Sequence, residues 1–289
     1  MRSFDGIWIP LVTPFHDGKI DFPALQALAR SMFDAGVSGL VACGSTAEAA
    51  ALDDAEQLAV LDAILDAVPG CPVAMGLAGN RQVAMLEKMQ KIQQRPVAGL
   101  LIPAPYYIRP SQEGLRAFYL AMADAAEAPV IVYNIPYRSG INIDAATILA
   151  LAGHERIVAV KDCGGSAAAT MDLIAHGGLQ ILAGEDEQIF TTLCLGGSGA
   201  ITAAAHIRPD LFVRVARLVQ AQRLVEAREQ FYELLPLIRL LFAEPNPAVI
   251  KTALAMMGML RDELRAPMQA SSPELHERLH RELSRLGCL

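Results

Sequence analysis

The 289-residue sequence lacks the features of a membrane-spanning, secreted or nucleic-acid-binding protein. Although 53% of the residues are hydrophobic, no uninterrupted apolar run approaches the roughly 20 residues that a transmembrane helix needs. No apolar segment with a small-residue cleavage site follows the N-terminus, so we expect a cytoplasmic protein without a secretory signal. The net charge of −7 and the absence of a basic block argue against a nucleic-acid surface.

Motifs for metals, nucleotides and disulfides are also missing. The five cysteines form no CxxC pair, and Cys43, Cys163 and Cys194 lie in or beside apolar segments, which favours small buried thiols in a reducing compartment. The six histidines show no metal-ligand spacing and no HExxH sequence. Neither GxxxxGK[ST] nor a strand–GxGxxG–helix unit is present. The sequence therefore predicts neither a metal nor a cofactor.

What is present is one pattern repeated eight times, in which a short apolar run alternates with an amphipathic helix. Eight such units predict an α/β fold of the (β/α)8 TIM-barrel type. The predicted strands are 6–12, 39–43, 73–77, 99–102, 130–133, 157–161, 181–183 and 200–202.

Helical signals accompany the strands and continue after them. Asp21 is the predicted N-cap of a first helix with a proline in its first turn, and Asp53 or Asp54 is the predicted cap of a second. After residue 209 four helices follow one another without a further strand: 211–222, 224–242, 247–259 and 273–286. We therefore predict a catalytic barrel over residues 1–220 and a C-terminal helical extension over residues 221–289.

Residues at the C-terminal ends of the strands are the candidates for chemistry, because barrel enzymes build their sites there. Of the 24 basic residues only five are lysines, and Lys161 alone among them ends a predicted strand. Burial in a barrel mouth favours the neutral amine, which attacks carbonyl groups and forms imines. The alternative is a structural lysine paired with Asp162.

Other polar residues follow neighbouring strands and allow both structural and functional interpretations. Tyr133 ends the strand before Lys161, where a phenol could move protons during imine formation or only pack against its neighbours. Ser45 and Thr46 could form a hydroxyl relay or merely cap a helix. Arg138 could hold a carboxylate or remain solvated.

These strand-end segments resemble the dihydrodipicolinate synthase / N-acetylneuraminate lyase family of pyruvate-dependent class I aldolases. The resemblance covers almost the whole chain. Its motifs are Gly44-Ser45-Thr46-Ala47-Glu48, Pro105-Tyr106-Tyr107, Tyr133-Asn134-Ile135-Pro136, Val160-Lys161-Asp162, Gly199-Ala200-Ile201-Thr202 and Glu244-Pro245-Asn246-Pro247.

The resemblance implies a role for each matching residue. Lys161 would form the Schiff base with pyruvate, and Tyr133 would transfer protons together with Ser45 and Tyr107. The substrate-binding residues that it implies are Thr46, Arg138, Gly184 and the Ile201 backbone. In this family the residue matching Tyr107 reaches into a neighbouring subunit, which implies a homo-oligomer, often a tetramer.

The two branches of the family differ in their second substrate. Arg138 matches the synthase arginine that holds the carboxylate of aspartate-4-semialdehyde, and residues 110–114 also resemble the synthases. Ser45 and the pair Asp186-Glu187 are closer to the lyases, which act on sugar acids. We give most weight to Arg138 because it contacts the second substrate, and expect the condensation that begins lysine biosynthesis. A catalytically silent barrel with a binding role is a further alternative.

The resemblance also implies weak feedback by lysine. In lysine-inhibited members a serine and an acidic residue help to hold the inhibitor, and this chain has Ala49 and Ala84 at those positions. Asp54 and Gln57 replace two histidines, whereas Asn80 and Tyr106 match the pattern.

Overall fold

A computed structural model describes residues 4–289 and contains the predicted barrel. Its eight parallel strands are β1 Gly6–Pro10, β4 Gly39–Ala42, β5 Val73–Gly76, β6 Gly99–Pro103, β7 Val130–Asn134, β8 Ile157–Asp162, β9 Gln180–Ala183 and β10 Gly199–Ile201. They close on themselves in the order β1-β10-β9-β8-β7-β6-β5-β4. Each lies within one or two residues of its prediction. The short strands β2 Phe15–His16 and β3 Lys19–Ile20 form a separate antiparallel pair that was not predicted.

Helices occupy the intervals between the strands and the C-terminal part of the chain. They are α1 Phe22–Asp34, α2 Asp54–Ala67, α3 Gln82–Gln93, α4 Gln112–Asp124, α5 Pro136–Ser139, α6 Ala145–Leu151, α7 Ala167–His176, α8 Ile189–Cys194, α9 Pro209–Gln220, α10 Leu224–Leu241, α11 Ala248–Met256 and α12 Pro273–Arg285. Across residues 4–289 no helix is both long and apolar enough to cross a membrane.

Two predicted helix caps are present. The Asp21 side chain accepts a hydrogen bond from the backbone N–H of Ala24, and Asp53 forms a capping box with Glu56. These contacts satisfy backbone donors that the first turn of a helix leaves unpaired. Cys194 does not fit its prediction: as the last residue of α8 it is exposed, because the helix turns that side chain away from the core.

The chain divides into two compact units. One contains residues 4–6 and 72–201, with the strands β5 to β10 and the helices α3 to α8. In this unit Gly99 accommodates the ring of Phe4, because an added Cβ atom would lie 2.7 Å from it. The predicted boundary between residues 220 and 221 stays a prediction.

The second unit contains residues 7–71 and 202–289. It includes β1 from Ile7 onward, the strands β2 to β4 and the helices α1, α2 and α9 to α12. Strand β1 pairs in parallel with β4, with Trp8 opposite Gly39. A Cβ atom on Gly39 would lie 2.4 Å from the Trp8 ring, so only glycine leaves room for this buried side chain. The polar core of this unit includes Lys251, which is completely buried in α11.

Candidate active site

Lys161 and Tyr133 lie side by side at the ends of two neighbouring strands. They are register partners of β8 and β7, and each is only 5% exposed. The Lys161 Nζ atom lies 4.5 Å from the centre of the Tyr133 ring. Parallel pairing therefore brings a buried amine and a phenol together, as their positions in the sequence predicted.

The next residue on each strand, Asn134 and Asp162, forms a side-chain hydrogen bond that joins the two strand ends. The Asn134 side chain donates to Oδ1 of Asp162 over 3.1 Å. The same oxygen accepts the N–H of Gly164, and Oδ2 accepts the Thr170 hydroxyl. These groups engage both oxygens of Asp162, and the role of Lys161 as a nucleophile stays a prediction. No local pattern in the sequence predicts these contacts.

Cys163 lies close to Lys161 but is suited to packing. It is 5% exposed, and burial raises the pKa of its thiol far above the usual range, although the nearby Lys161 charge opposes this shift. The thiolate is the reactive form of cysteine, so a strongly raised pKa leaves Cys163 inert. The buried Oε1 of the nearby Glu185 has no hydrogen-bond partner among residues 4–289.

Gly184 and Ile201 lie at the ends of the following strands. Gly184 comes directly after β9, and its N–H donates to the backbone oxygen of Asp162 over 2.9 Å. A Cβ atom at this position would lie 2.3 Å from Sγ of Cys163, so the backbone approaches β8 as closely as glycine allows. Ile201 is the last residue of β10 and is fully buried, which leaves only its backbone for the predicted contact with pyruvate.

A backbone hydrogen bond joins the segments that carry Arg138 and Tyr107. Arg138 belongs to the short helix α5, and its guanidinium carbon lies 5.8 Å from the centre of the Tyr137 ring. The Tyr107 N–H donates to the backbone oxygen of Ser139 over 3.3 Å, at the end of the same helix. Tyr107 has a φ of +71° and is 90% exposed. A large aromatic side chain held in this conformation and facing solvent is typical of a contact residue.

Ser45 and Thr46 belong to the second compact unit. They begin a single turn of 3-10 helix that spans Ser45–Ala47, and Thr46 is only 2% exposed. The Thr46 hydroxyl accepts a hydrogen bond from the Asn246 side chain over 2.9 Å. The structure thus brings Lys161 and Tyr133 together in one unit and Thr46 and Asn246 in the other. The role of Ser45 and Thr46 toward Lys161 stays a prediction.

A metal centre needs several ligating side chains close together. Within the part of the chain that the structure describes, no group of three or more His, Cys, Asp or Glu residues could hold a metal ion. The group that lies beside the Lys161 amine is instead the phenol of Tyr133.

Comparison with known proteins identifies relatives along the whole chain. The model of the Dihydrodipicolinate synthetase family matches residues 3–286. The 4-hydroxy-tetrahydrodipicolinate synthase of Trichlorobacter lovleyi is 36% identical over 285 residues, covering 96% of this chain and 98% of that protein. The enzyme of the same name from Syntrophus aciditrophicus is 35% identical and covers 99% of both chains.

Solved structures agree with these sequence matches. The dihydrodipicolinate synthase of Thermotoga maritima has a TM-score of 0.97 at 28% identity and covers 100% of both chains. A dihydrodipicolinate synthase of Cyanidioschyzon merolae, solved with lysine bound, has a TM-score of 0.96 at 28% identity and covers 99% of both chains.

Proposed function

This chain belongs to the dihydrodipicolinate synthetase family, and we propose that it is a class I lyase that condenses pyruvate with L-aspartate-4-semialdehyde. The product would be 4-hydroxy-tetrahydrodipicolinate, from which the diaminopimelate route leads to lysine. The single observation that carries the proposal is the buried pair of Lys161 and Tyr133, with Nζ 4.5 Å from the ring centre.

In the first half of the reaction Lys161 activates pyruvate. Its neutral amine attacks the ketone carbon and forms a carbinolamine, which loses water to give an imine. Tyr133 supplies the proton that leaves with the hydroxyl, and Ser45 and Tyr107 would connect it to solvent. The protonated imine withdraws electrons from the neighbouring methyl group, which loses a proton to give a nucleophilic enamine.

In the second half the enamine carbon attacks the aldehyde and forms the new carbon–carbon bond. The amino group derived from the semialdehyde then attacks the imine carbon, closes the ring and returns Lys161 as a free amine. Arg138 would hold the semialdehyde carboxylate through charge-assisted hydrogen bonds. Thr46, Gly184 and the Ile201 N–H would bind pyruvate. All of these steps are acid–base and addition chemistry, so the proposal includes no metal or cofactor.

The proposal includes a homo-oligomer, of which a tetramer is the preferred form. The support is Tyr107, whose aromatic side chain is 90% exposed in the single chain although its backbone is held by Ser139. A tyrosine that crosses an interface would bury this surface. A cytoplasmic location is also proposed, because both substrates are intermediates of cytoplasmic amino-acid metabolism.

A sugar-acid lyase is the second candidate. The observation in its favour is Asp186, which is 5% exposed beside the strand end of β9 and matches a lyase residue. Arg138 speaks against this candidate because lyases lack that arginine. Purified enzyme should be given aspartate-4-semialdehyde with pyruvate in one assay and N-acetylneuraminate in another. Turnover of the sugar acid alone would exclude the synthase.

The covalent step has its own test. Borohydride added with pyruvate should inactivate the enzyme and leave one reduced pyruvyl adduct on the peptide that contains Lys161. Lys161→Ala should abolish both the adduct and the activity, whereas Lys91→Ala at an exposed position of α3 is the matched control. An adduct on another lysine would contradict the proposal, and no adduct at all would favour the silent barrel.

A further inference from the structure

A buried ion pair between Glu48 and Lys251 lies at the end of the turn that carries Ser45 and Thr46. Glu48 follows the turn, and its Oε1 accepts a hydrogen bond of 2.7 Å from Nζ of Lys251 in α11. The two side chains are 2% and 0% exposed. The other oxygen, Oε2, accepts the backbone N–H of Arg265 over 2.9 Å. Both oxygens of Glu48 are therefore held by groups from the C-terminal part of the chain.

An aromatic ring completes the surroundings of this pair. Nζ of Lys251 lies 4.2 Å from the centre of the Phe15 ring, and the guanidinium carbon of Arg265 lies 4.7 Å from it. Burial lowers the pKa of Lys251, and the Glu48 carboxylate opposes that shift. Each charge of the pair is thus stabilised by the other, because an unpaired charge is unfavourable in a buried position.

Three further hydrogen bonds fix the same segment. The Asn246 side chain donates to the Thr46 hydroxyl, and the Thr13 hydroxyl donates to the backbone oxygen of Ala47 over 2.8 Å. The Arg265 guanidinium donates to the backbone oxygen of Ala51 over 2.9 Å. Hydrogen bonds thus hold the segment from residue 46 to residue 51 at both ends and in its middle.

The hydrogen bonds of the Glu48 side chain hold its backbone in an unfavourable conformation. Its φ of +55° lies in the left-handed region, where residues other than glycine are strained. Such a conformation persists only when the surroundings over-determine it. Release of the Glu48 carboxylate would let it turn toward water and relax the backbone, and the connected Ser45–Ala47 turn would move with it.

We propose that the Glu48–Lys251 ion pair fixes the hydroxyl groups of Ser45 and Thr46 in the geometry that imine formation needs. Lys251 is then a positioning residue, and the helical extension contributes to catalysis although none of these three residues, Asn246, Lys251 and Arg265, reacts. The inference rests on the proposed function as far as the reaction of Lys161 with pyruvate and the proposed roles of Ser45 and Thr46 in it.

Stability alone does not account for such a pair. Two charges pay a desolvation cost on burial, so apolar replacements of similar volume are often neutral or stabilising, whereas removing one partner is strongly destabilising. The pair does, however, hold a carboxylate at one point with directional hydrogen bonds, which apolar packing cannot do. Stability and catalysis should therefore separate when both charges are removed together.

The decisive variant is Glu48→Gln with Lys251→Met, which removes both charges at nearly constant volume. We expect it to keep the near-UV circular dichroism of the wild type and a similar melting temperature. The rate of pyruvyl-adduct formation under borohydride at saturating pyruvate should fall at least tenfold per folded molecule. The single Lys251→Met variant should lose both stability and rate, because it leaves Glu48 unpaired.

Glu282→Gln with Arg285→Met is the matched control, since it removes an ion pair of 2.6 Å from α12 in the same extension. It should form the adduct at the wild-type rate. The proposal is overturned if the folded Glu48→Gln, Lys251→Met enzyme also forms the adduct at that rate. Should that variant not fold, Glu48→Asp decides, because it keeps both charges and moves the carboxylate by one methylene group; an unchanged rate in it overturns the proposal equally.

The readout stops at the pyruvate adduct, so it is independent of the second substrate. A wild-type enzyme that forms the adduct but does not use aspartate-4-semialdehyde would refute the proposed condensation and leave the role of Lys251 standing. A wild-type enzyme that forms no adduct would overturn both.

Discussion

The side chains of Lys161 and Tyr133 face each other across one pair of parallel strands, with Nζ 4.5 Å from the ring centre. Their Cα atoms are direct register partners, and the next pair, Asp162 and Asn134, is joined by a side-chain hydrogen bond. Because a slip of one residue would turn either side chain to the opposite face of its strand, this hydrogen-bonded pair preserves the juxtaposition of Lys161 and Tyr133.

Tyr133→Phe should slow imine formation while preserving the fold. The ring still packs beside Lys161, but the hydroxyl that supplies the proton is lost. General acid–base groups contribute about 10²–10⁴-fold to rate, so kcat should fall by that factor. Rapid-quench measurement of the pyruvate adduct tests this expectation. Tyr119→Phe, which alters a buried hydroxyl bonded to Ile102, is the control, and equal loss in both variants would point to packing.

Arg138→Ala should impair the use of aspartate-4-semialdehyde and leave the reaction with pyruvate nearly intact. Loss of a charge-assisted carboxylate contact should cost about 2–4 kcal/mol in kcat/KM for the semialdehyde. The borohydride adduct with pyruvate is the internal control, because it forms before the second substrate binds. If the variant used the semialdehyde normally, the sugar-acid reaction would become the better interpretation.

His206 should make the fold sensitive to acid. Its Nε2 accepts the Val12 N–H, Nδ1 faces the Ala203 oxygen, and burial lowers its pKa to about 4. In the unfolded chain His206 binds a proton below about pH 6.5, whereas in the folded chain it binds one only near pH 4. Its stabilising contribution is therefore complete above pH 6.5 and is lost as the pH falls.

Denaturation with urea at several pH values tests this expectation. Between pH 6.5 and 5 this residue should remove about 2 kcal/mol from the free energy of unfolding. His206→Gln should be less stable at pH 7 but lose less stability on acidification. His280→Gln, at an exposed position of α12, should keep the wild-type pH dependence. Equal pH slopes in all three proteins would rule out His206 as the cause.

L-Lysine should inhibit the enzyme weakly. Ala84 stands where lysine-inhibited relatives have an acidic residue, so the inhibitor's ammonium would lack a carboxylate partner. Gln57 offers no substitute, since its side-chain nitrogen donates to the backbone oxygens of Ala49 and Leu52. Initial rates at saturating pyruvate should show half-inhibition only above about 1 mM, which corresponds to roughly 4 kcal/mol of binding. Stronger inhibition would mean that another acidic group, such as Asp54, has taken over.

The sequence by itself determined the barrel and singled out its candidate nucleophile. Strands buried on both faces appear as short apolar runs, and a lysine that ends such a run is conspicuous because lysine is otherwise rare in this chain. Local caps were equally legible: Asp21 and Asp53 each bond to a backbone group three residues away. The pair β2 and β3 was missed because two residues are too short for a periodic pattern.

Only the tertiary structure decided how the candidate site is held. Lys251 and Glu48 are 203 positions apart, and Asn246 and Thr46 are 200 apart. In the sequence Lys251 is one more lysine on a C-terminal helix, without a local partner to suggest complete burial. Local patterns report the conformation of neighbouring residues, whereas a buried charge finds its partner through chain closure and packing.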